Sequence, residues 1–304
     1  MKETIGTFVS KLLDVYEHKY KRLMLIPVLI LLASLSILAF SELTTGELFE
    51  RDISLKGGTT VTFYTETHLD IVSLDGSLAS MLGTDDIIVR EIKDAFNQVV
   101  IGYDIEVGGD FDGDTVVSTI SSITGLVLNE TNTDVGVQSS SIAQSFFQDA
   151  LVVIAIAFIL MAIVVFYYFR SPMPAFSIIL SIVSDVIFMV AMISLFRIRF
   201  SIATIGALLM IIGYSTESDI LLSTYILKRS EGTLMDRLKQ AIKTELTMQM
   251  AAFVTFSIML LLSNIEMVRH IALILLFGVI SDTITTPLQS AGLQRIYLER
   301  KGRR

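Results

Sequence analysis

Four acidic side chains stand in this sequence where acids are costly. Asp185 and Asp282 fall near the middle of long apolar runs, and Glu217 and Asp219 fall in the second half of another. An aspartate at the centre of a membrane-crossing helix costs about 2.5–3.5 kcal/mol on insertion scales, so each of the four needs a reason to be there. One reason is chemical, since a carboxyl held out of water can take up and release a proton or follow a cation. The other is packing, with protonated acids hydrogen-bonded to Ser, Thr or backbone groups of neighbouring helices. No Lys or Arg lies deep in these runs to form a fixed ion pair. On a helix through Asp219, Ser215, Thr216 and Ser223 share its face at three- and four-residue spacing, while Glu217 points nearly opposite. Gly206 and Gly213, seven apart on the same run, predict a close approach by another helix.

Other chemistries find little support. The 304 residues include no cysteine, which excludes disulfides, thiol nucleophiles and Cys-ligated metals. His18, His68 and His270 are far apart and lack metal-ligand spacing, so no metal or cofactor is expected. Gly108-Gly109-Asp110-Phe111-Asp112-Gly113-Asp114 suggests a calcium loop, but an EF-hand starting at Asp110 would need Gly and Glu where Thr115 and Ser121 stand; a solvated turn is expected. Lys56-Gly57-Gly58-Thr59 is too short for a phosphate loop. Two intramembrane aspartates could share a proton as an aspartic-protease dyad. Intramembrane aspartyl proteases carry Tyr-Asp and Gly-x-Gly-Asp, whereas this chain has Ser218-Asp219 and Gly278-Val279-Ile280-Ser281-Asp282, so that reading ranks low.

The elements that must position the acids are membrane spans. Hydrophobic residues make up 52% of the chain and the mean hydropathy is +0.67, which calls for a second apolar solvent besides a protein core. Six segments satisfy the length a bilayer demands: 23–40, 146–169, 173–196, 202–227, 246–262 and 267–288. The first follows the basic run His18-Lys19-Tyr20-Lys21-Arg22 without a small-residue cleavage site behind it, and reads as an uncleaved anchor. The short flanks carry 16 Lys/Arg on one side (1–22, Arg170, the link 228–245 and the tail 289–304) against Arg197, Arg199 and Arg269 on the other. Both termini are therefore expected in the cytoplasm of a cell-membrane protein, with 41–145 outside. Residues 41–141 hold 18 Asp/Glu against four Lys/Arg, net −14 within a chain of net charge −8. Within that segment 59–64, 87–92, 99–107 and 135–139 read as strands, with helices around 77–82 and 114–123. The order β-α-β-β-α-β predicts a ferredoxin-like α+β domain. Asn129-Glu130-Thr131 is a glycosylation triplet there.

At this point three stretches carry a resemblance. Asp52-Ile53-Ser54-Leu55-Lys56-Gly57-Gly58-Thr59 looks like an Asp-Phe-x-Gly-Gly-Thr segment just outside a first span. Ile211-Ile212-Gly213-Tyr214-Ser215, followed by acids and Asp219-Ile220-Leu221-Leu222, is similar to a fourth-helix Ile-Gly-Tyr-Ser motif. The basic Lys228-Arg229-Ser230-Glu231-Gly232 and the run Ala241-Ile242-Lys243-Thr244 lead into a fifth span. In this order they resemble the SecF branch of the SecD/SecF family of protein-export accessory proteins, within the resistance-nodulation-division superfamily, over nearly the whole chain. The resemblance implies a non-enzymatic subunit that works with a SecD-like protein, the SecY translocon and a translocating polypeptide, within the lipid bilayer and with no nucleic acid. It marks Asp52, Gly57, Gly58, Gly213 and Tyr214 as motif residues and the membrane acids as proton-coupling candidates. Two positions depart from bacterial members: Ser218 stands where their fourth-helix Asp falls, and Met248 where they carry an arginine. The pattern is closer to the archaeal form. The alternative within the superfamily is a half-size exporter of small molecules or lipids, which would also need a partner.

Overall fold

The computed structural model describes residues 19–65, 67–94, 99–129, 131–263 and 265–301. The N-terminal stretch through His18 and Glu130 of the glycosylation triplet lie outside the described residues. The chain divides into two compact units, residues 51–152 with 200–202, and the remainder.

The first unit is an α/β sandwich. Asp52 caps a single helical turn, α1 (Ile53–Lys56), its carboxylate accepting from Ser54 Oγ at 2.8 Å. Strand β1 (Gly58–Tyr64) follows, then α2 (Ile71–Leu82), β2 (Ile87–Lys93), β3 (Val100–Gly108), α3 (Gly113–Thr124) and β4 (Thr133–Gln138). The sheet order is β2-β3-β1-β4 with all neighbours antiparallel, the ferredoxin-like arrangement expected from the element order. Alternation along β1 and β3 sends Val61, Phe63, Tyr103, Ile105 and Val107 inward against Leu74 and Leu78 of α2 and Val116 and Ile120 of α3. Each such side chain fully buried contributes about 1.5–3 kcal/mol. Asp110 accepts from Ser140 Oγ at 2.6 Å, so its carboxylate joins two segments of the unit.

The glycines of the Asp52–Thr59 motif have a steric reason. Gly57 has φ +89°, and a Cβ there would sit 2.5 Å from Ser140 Cα. Only glycine lets the two backbones approach so closely at that dihedral. Thr59 then donates its hydroxyl to Phe111 O at 2.6 Å.

Arg90 pairs across the sheet, 2.6 Å to Glu106 and 3.7 Å to Asp104. Burial nevertheless pushes the Glu106 carboxyl up from its ordinary value, and the Arg90 charge offsets this only in part. The folded unit thus holds that proton more tightly than the unfolded chain, and Glu106 costs stability as pH rises from the ordinary carboxyl value through the raised one. We expect Glu106→Gln, in a fragment spanning 51–152, to raise the melting temperature relative to the parent by more at pH 7 than at pH 4. A difference that shrinks with rising pH would show that the Arg90 pairing outweighs desolvation.

The second unit contains helices long and apolar enough to cross a membrane. They are α4 (Leu25–Thr45), α5 (Ser140–Phe169), which starts in the first unit, α6 (Pro172–Leu195), α7 (Ile202–Leu227), α8 (Leu234–Leu262) and α9 (Glu266–Thr285). A π turn (Thr286–Ser290) joins α9 to α10 (Ala291–Arg300). Four spans run further than the sequence reading placed them, the first reaching Thr45 rather than 40. Helix α5 begins at Ser140 rather than 146. Helix α8 begins at Leu234 rather than 246, because Thr233 and Asp236 form a reciprocal capping box that starts it inside the basic link. The sixth span continues to Arg300 rather than 288, since the π turn absorbs the backbone hydrogen bond that Pro287 cannot donate. This π turn places Thr286, Gln289 and Ser290 inside the bundle.

Candidate functional site: a bridged pair of buried aspartates

The centre of the helical unit holds Asp185 from α6 and Asp282 from α9, both fully buried. Ser215 of α7 stands between them, its Oγ 2.8 Å from Asp185 Oδ2 and 2.8 Å from Asp282 Oδ1. A serine hydroxyl carries one proton, so it donates to one carboxyl and can bond the other only by accepting from it. The bridge as a whole therefore accommodates one acidic proton on either aspartate. Ser281 Oγ at 2.6 Å and Thr285 Oγ1 at 2.7 Å donate to Asp185 Oδ1. Thr286 Oγ1 donates to Asp282 Oδ1 at 2.7 Å, and the Gln249 side-chain amide of α8 donates to Asp282 Oδ2. Four helices thus converge on one pair of carboxyls. Among the described residues no Lys or Arg is buried, so hydroxyls and an amide take the place of a counter-charge.

Asp219 lies one turn beyond Ser215 on α7, fully buried. Unlike the bridged pair, neither of its carboxylate oxygens has a hydrogen-bond partner of ordinary geometry, and the Ser181 and Ser290 hydroxyls are beside it. Ser223, one turn further, is buried and accepts from Gln294. The stripe read from sequence therefore holds for Ser215, Asp219 and Ser223. Thr216 does not share it: half-buried, it returns its hydroxyl to Ile212 O of its own helix.

Glu217 is exposed on the opposite face, as the helical geometry predicts. It lines an open groove of about 530 Å³ with Gly213, Thr216, Ile220, Leu221, Thr224 and Tyr225. The helix approach expected at Gly206 and Gly213 is absent, for a Cβ at either would meet no atom within 4 Å. The close approach is at Gly278, where a Cβ would lie 2.5 Å from Ile211 Cγ1 and 3.0 Å from Met189 Sδ. Tyr214 is half-buried, its hydroxyl 3.4 Å from Gln249 Oε1. Asp52, Gly57 and Gly58 belong to the α/β unit and shape its first strand.

Sequence reasoning missed Glu245 and Gln249, both buried on α8. The pair stands at four-residue spacing, and the capping signature Thr233-x-x-Asp236 upstream would have started the helix early enough to include them. Gln289 and Gln294 were missed because the sixth span was ended at Leu288.

A family model described as "Protein export membrane protein SecD/SecF, C-terminal" matches residues 119–300. The chain belongs to the SecD/SecF family. Among relatives named protein-export membrane protein SecF, that of Methanothermobacter thermautotrophicus is 34% identical, the match covering 98% of this chain and 99% of that one. The SecF of Methanocaldococcus jannaschii is 33% identical over 92% of this chain and 96% of its own. That of Pyrococcus furiosus is 30% identical over 99% of both. The fold matches the crystal structure of SecDF, a translocon-associated membrane protein from Thermus thermophilus, with a TM-score of 0.74 at 17% identity. That match covers 94% of this chain but 38% of the SecDF chain, so the present chain corresponds to a minor part of that molecule. A SecD/SecF member of this kind is a multi-pass membrane protein, and its described residues include six helices long and apolar enough to cross a membrane and one ferredoxin-like unit.

Proposed function

We propose that this chain is the SecF-type accessory subunit of a protein-export translocase, acting with a SecD-type partner in the later steps of moving a polypeptide across the cell membrane. Its buried acids pass protons as that movement is driven. The bridge Asp185–Ser215–Asp282 carries this reading, because two carboxyls on one hydroxyl with no buried cation form a place where a proton can be held and moved between helices. The basic flanks support cytoplasmic termini and an α/β unit on the outer side, where it would meet emerging chains. No catalytic role is assigned to the acids. SecY is the channel partner that this reading requires.

The face of α7 around Glu217 supports the need for a membrane partner. An ionisable side chain exposed on an apolar helix is costly against lipid tails and is normally turned to protein or water. Affinity purification from native membranes should bring down a SecD-type protein with this chain, and Glu217→Leu combined with Thr216→Leu should reduce its recovery severalfold while leaving the chain inserted. Recovery of the chain alone from gently solubilised membranes would sink the subunit reading and favour a self-contained exporter.

A further inference from the structure

Helices α4 and α6 both finish at the same end of the membrane unit, at Thr45 and Leu195. Between those ends lies a cavity of about 220 Å³, walled by Phe40 and Thr44 of α4, Leu195 of α6, and Phe49, Glu50 and Arg197 from the segments that follow. That is below the range of about 300–1,000 Å³ in which a drug-sized molecule is held, and it suits a small polar headgroup. Its place at the ends of two spans is the level where the lipid tails of a bilayer give way to headgroups.

The two charges at this cavity are opposite and apart. Glu50 and Arg197 are both exposed, and among the described residues neither side chain has an ion pair or a hydrogen bond. A simple anion drawn to Arg197 would face the Glu50 carboxylate, and a simple cation drawn to Glu50 would face the guanidinium. A group that carries both signs satisfies both walls.

Arg197 is fixed at the rim by the way α6 ends. The Ile198 N–H donates to Ile193 O at 2.9 Å and the Arg197 N–H to Ser194 O at 3.1 Å, the two closing bonds of a Schellman turn. Arg197 occupies the left-handed position of that turn, with φ +51°. Glycine is the usual residue there because it has no Cβ to strain. An arginine bears that strain, and no bond of its side chain to the described residues offsets it. Strain kept at an exposed cation points to a ligand for the guanidinium.

Below the cavity the surface suits acyl chains. Phe40, 69% exposed, continues along one side of α4 through Ala33 and Leu29, also exposed, at helical spacing. Ser36 falls between them and returns its hydroxyl to Leu32 O at 2.8 Å, so it offers the lipid no free donor.

We propose that this cavity holds the headgroup of a membrane phospholipid carrying both a phosphate and a protonated amine. The phosphate lies on the Arg197 guanidinium, the ammonium on the Glu50 carboxylate, and an acyl chain along Phe40, Ala33 and Leu29. One such lipid ties the end of the first span to the end of the third. The inference stands apart from the export and proton-coupling readings above.

The purified full chain in detergent would be titrated with phosphatidylethanolamine or phosphatidylglycerol, with bound lipid counted by native mass spectrometry. The ethanolamine lipid should bind about tenfold more tightly, the worth of one charge-assisted hydrogen bond. Equal binding of the two lipids overturns the zwitterionic site. Soluble phosphoethanolamine should compete only in large excess; if it binds as well as the lipid, the cavity serves a soluble ligand and the lipid assignment fails. Glu50→Gln should abolish the preference for the ethanolamine lipid, and Arg197→Gly should weaken binding of either lipid about tenfold. Unchanged binding in both variants removes the site. Arg197→Gly also separates ligand from fold, because glycine relieves the left-handed strain. Its melting temperature without lipid should equal or exceed that of the parent, and a lower one would show that the arginine serves the fold instead.

Discussion

Asp219→Asn should leave the chain inserted and assembled yet abolish the gradient-dependent part of export. The substitution keeps the shape of the side chain and removes its titratable proton, so it separates a proton carrier from a packing residue. The structure sharpens the expectation, because neither carboxylate oxygen of Asp219 has a hydrogen-bond partner to lose. A carboxyl retained in a buried site without partners contributes nothing to stability, and desolvation there costs on the order of several kcal/mol when it is charged. Asp219→Leu should therefore be tolerated by the fold, with heat stability of the solubilised chain equal to or above the parent, while export fails as it does for the Asn variant. Glu217→Gln on the exposed face should leave the gradient-dependent component largely intact. Export by inverted vesicles with and without an imposed proton gradient reads the outcome. Normal gradient response in Asp219→Asn would move the coupling role to the partner subunit.

Asp282→Leu should instead unfold the membrane unit. Asp282 takes hydrogen bonds from Ser215, Thr286 and Gln249, three donors from three segments, all buried. Replacing it with leucine strands Thr286 and the Gln249 amide, while Ser215 keeps Asp185 as its partner, and each buried group left unsatisfied costs about 1–3 kcal/mol. The total is a large share of the whole stability of a typical domain, about 5–15 kcal/mol. Asp282→Asn, which retains an oxygen for Ser215 and Thr286, should fold and still fail in proton transfer. The contrast between the two aspartates is the decisive measurement: monodispersity after heating should fall sharply for Asp282→Leu and not for Asp219→Leu. Equal tolerance at both positions would mean that the serine bridge does not hold the helices together.

Much of this protein was legible in its sequence because the bilayer imposes a simple rule. Apolar runs long enough to cross it, an acidic segment between the first two, and alternation at residues 59–64 sufficed for six spans and a βαββαβ unit. The acids at 185, 219 and 282 stood out because they break that rule at known cost. Helical geometry alone put Glu217 opposite Asp219. The Asp52–Thr59 motif could be seen but not explained, since the reason for Gly57 is the backbone of Ser140, more than eighty residues away.

What the tertiary structure decided is which acid does what. In the sequence Asp185 and Asp282 stand alike as carboxyls in apolar helices, and Asp219 is set apart by the polar stripe of its own helix and the motif beside it. Packing separates them: Ser215 joins two and leaves the third without a partner, a distinction that depends on where helices 30 and 67 residues away in sequence bring their side chains. Glu245 was hidden for a related reason. Local hydropathy before Met248 is that of a basic surface link, and only burial against α7 and α10 turns that stretch into part of the bundle interior. The glycines at 206 and 213 suggested a packed face and proved open, whereas Gly278, with no small partner at the expected spacing, is where the helices meet. Periodicity fixes which residues share a helix face; which faces meet is set by the free energy of packing all the helices together, and that cannot be read from any one of them.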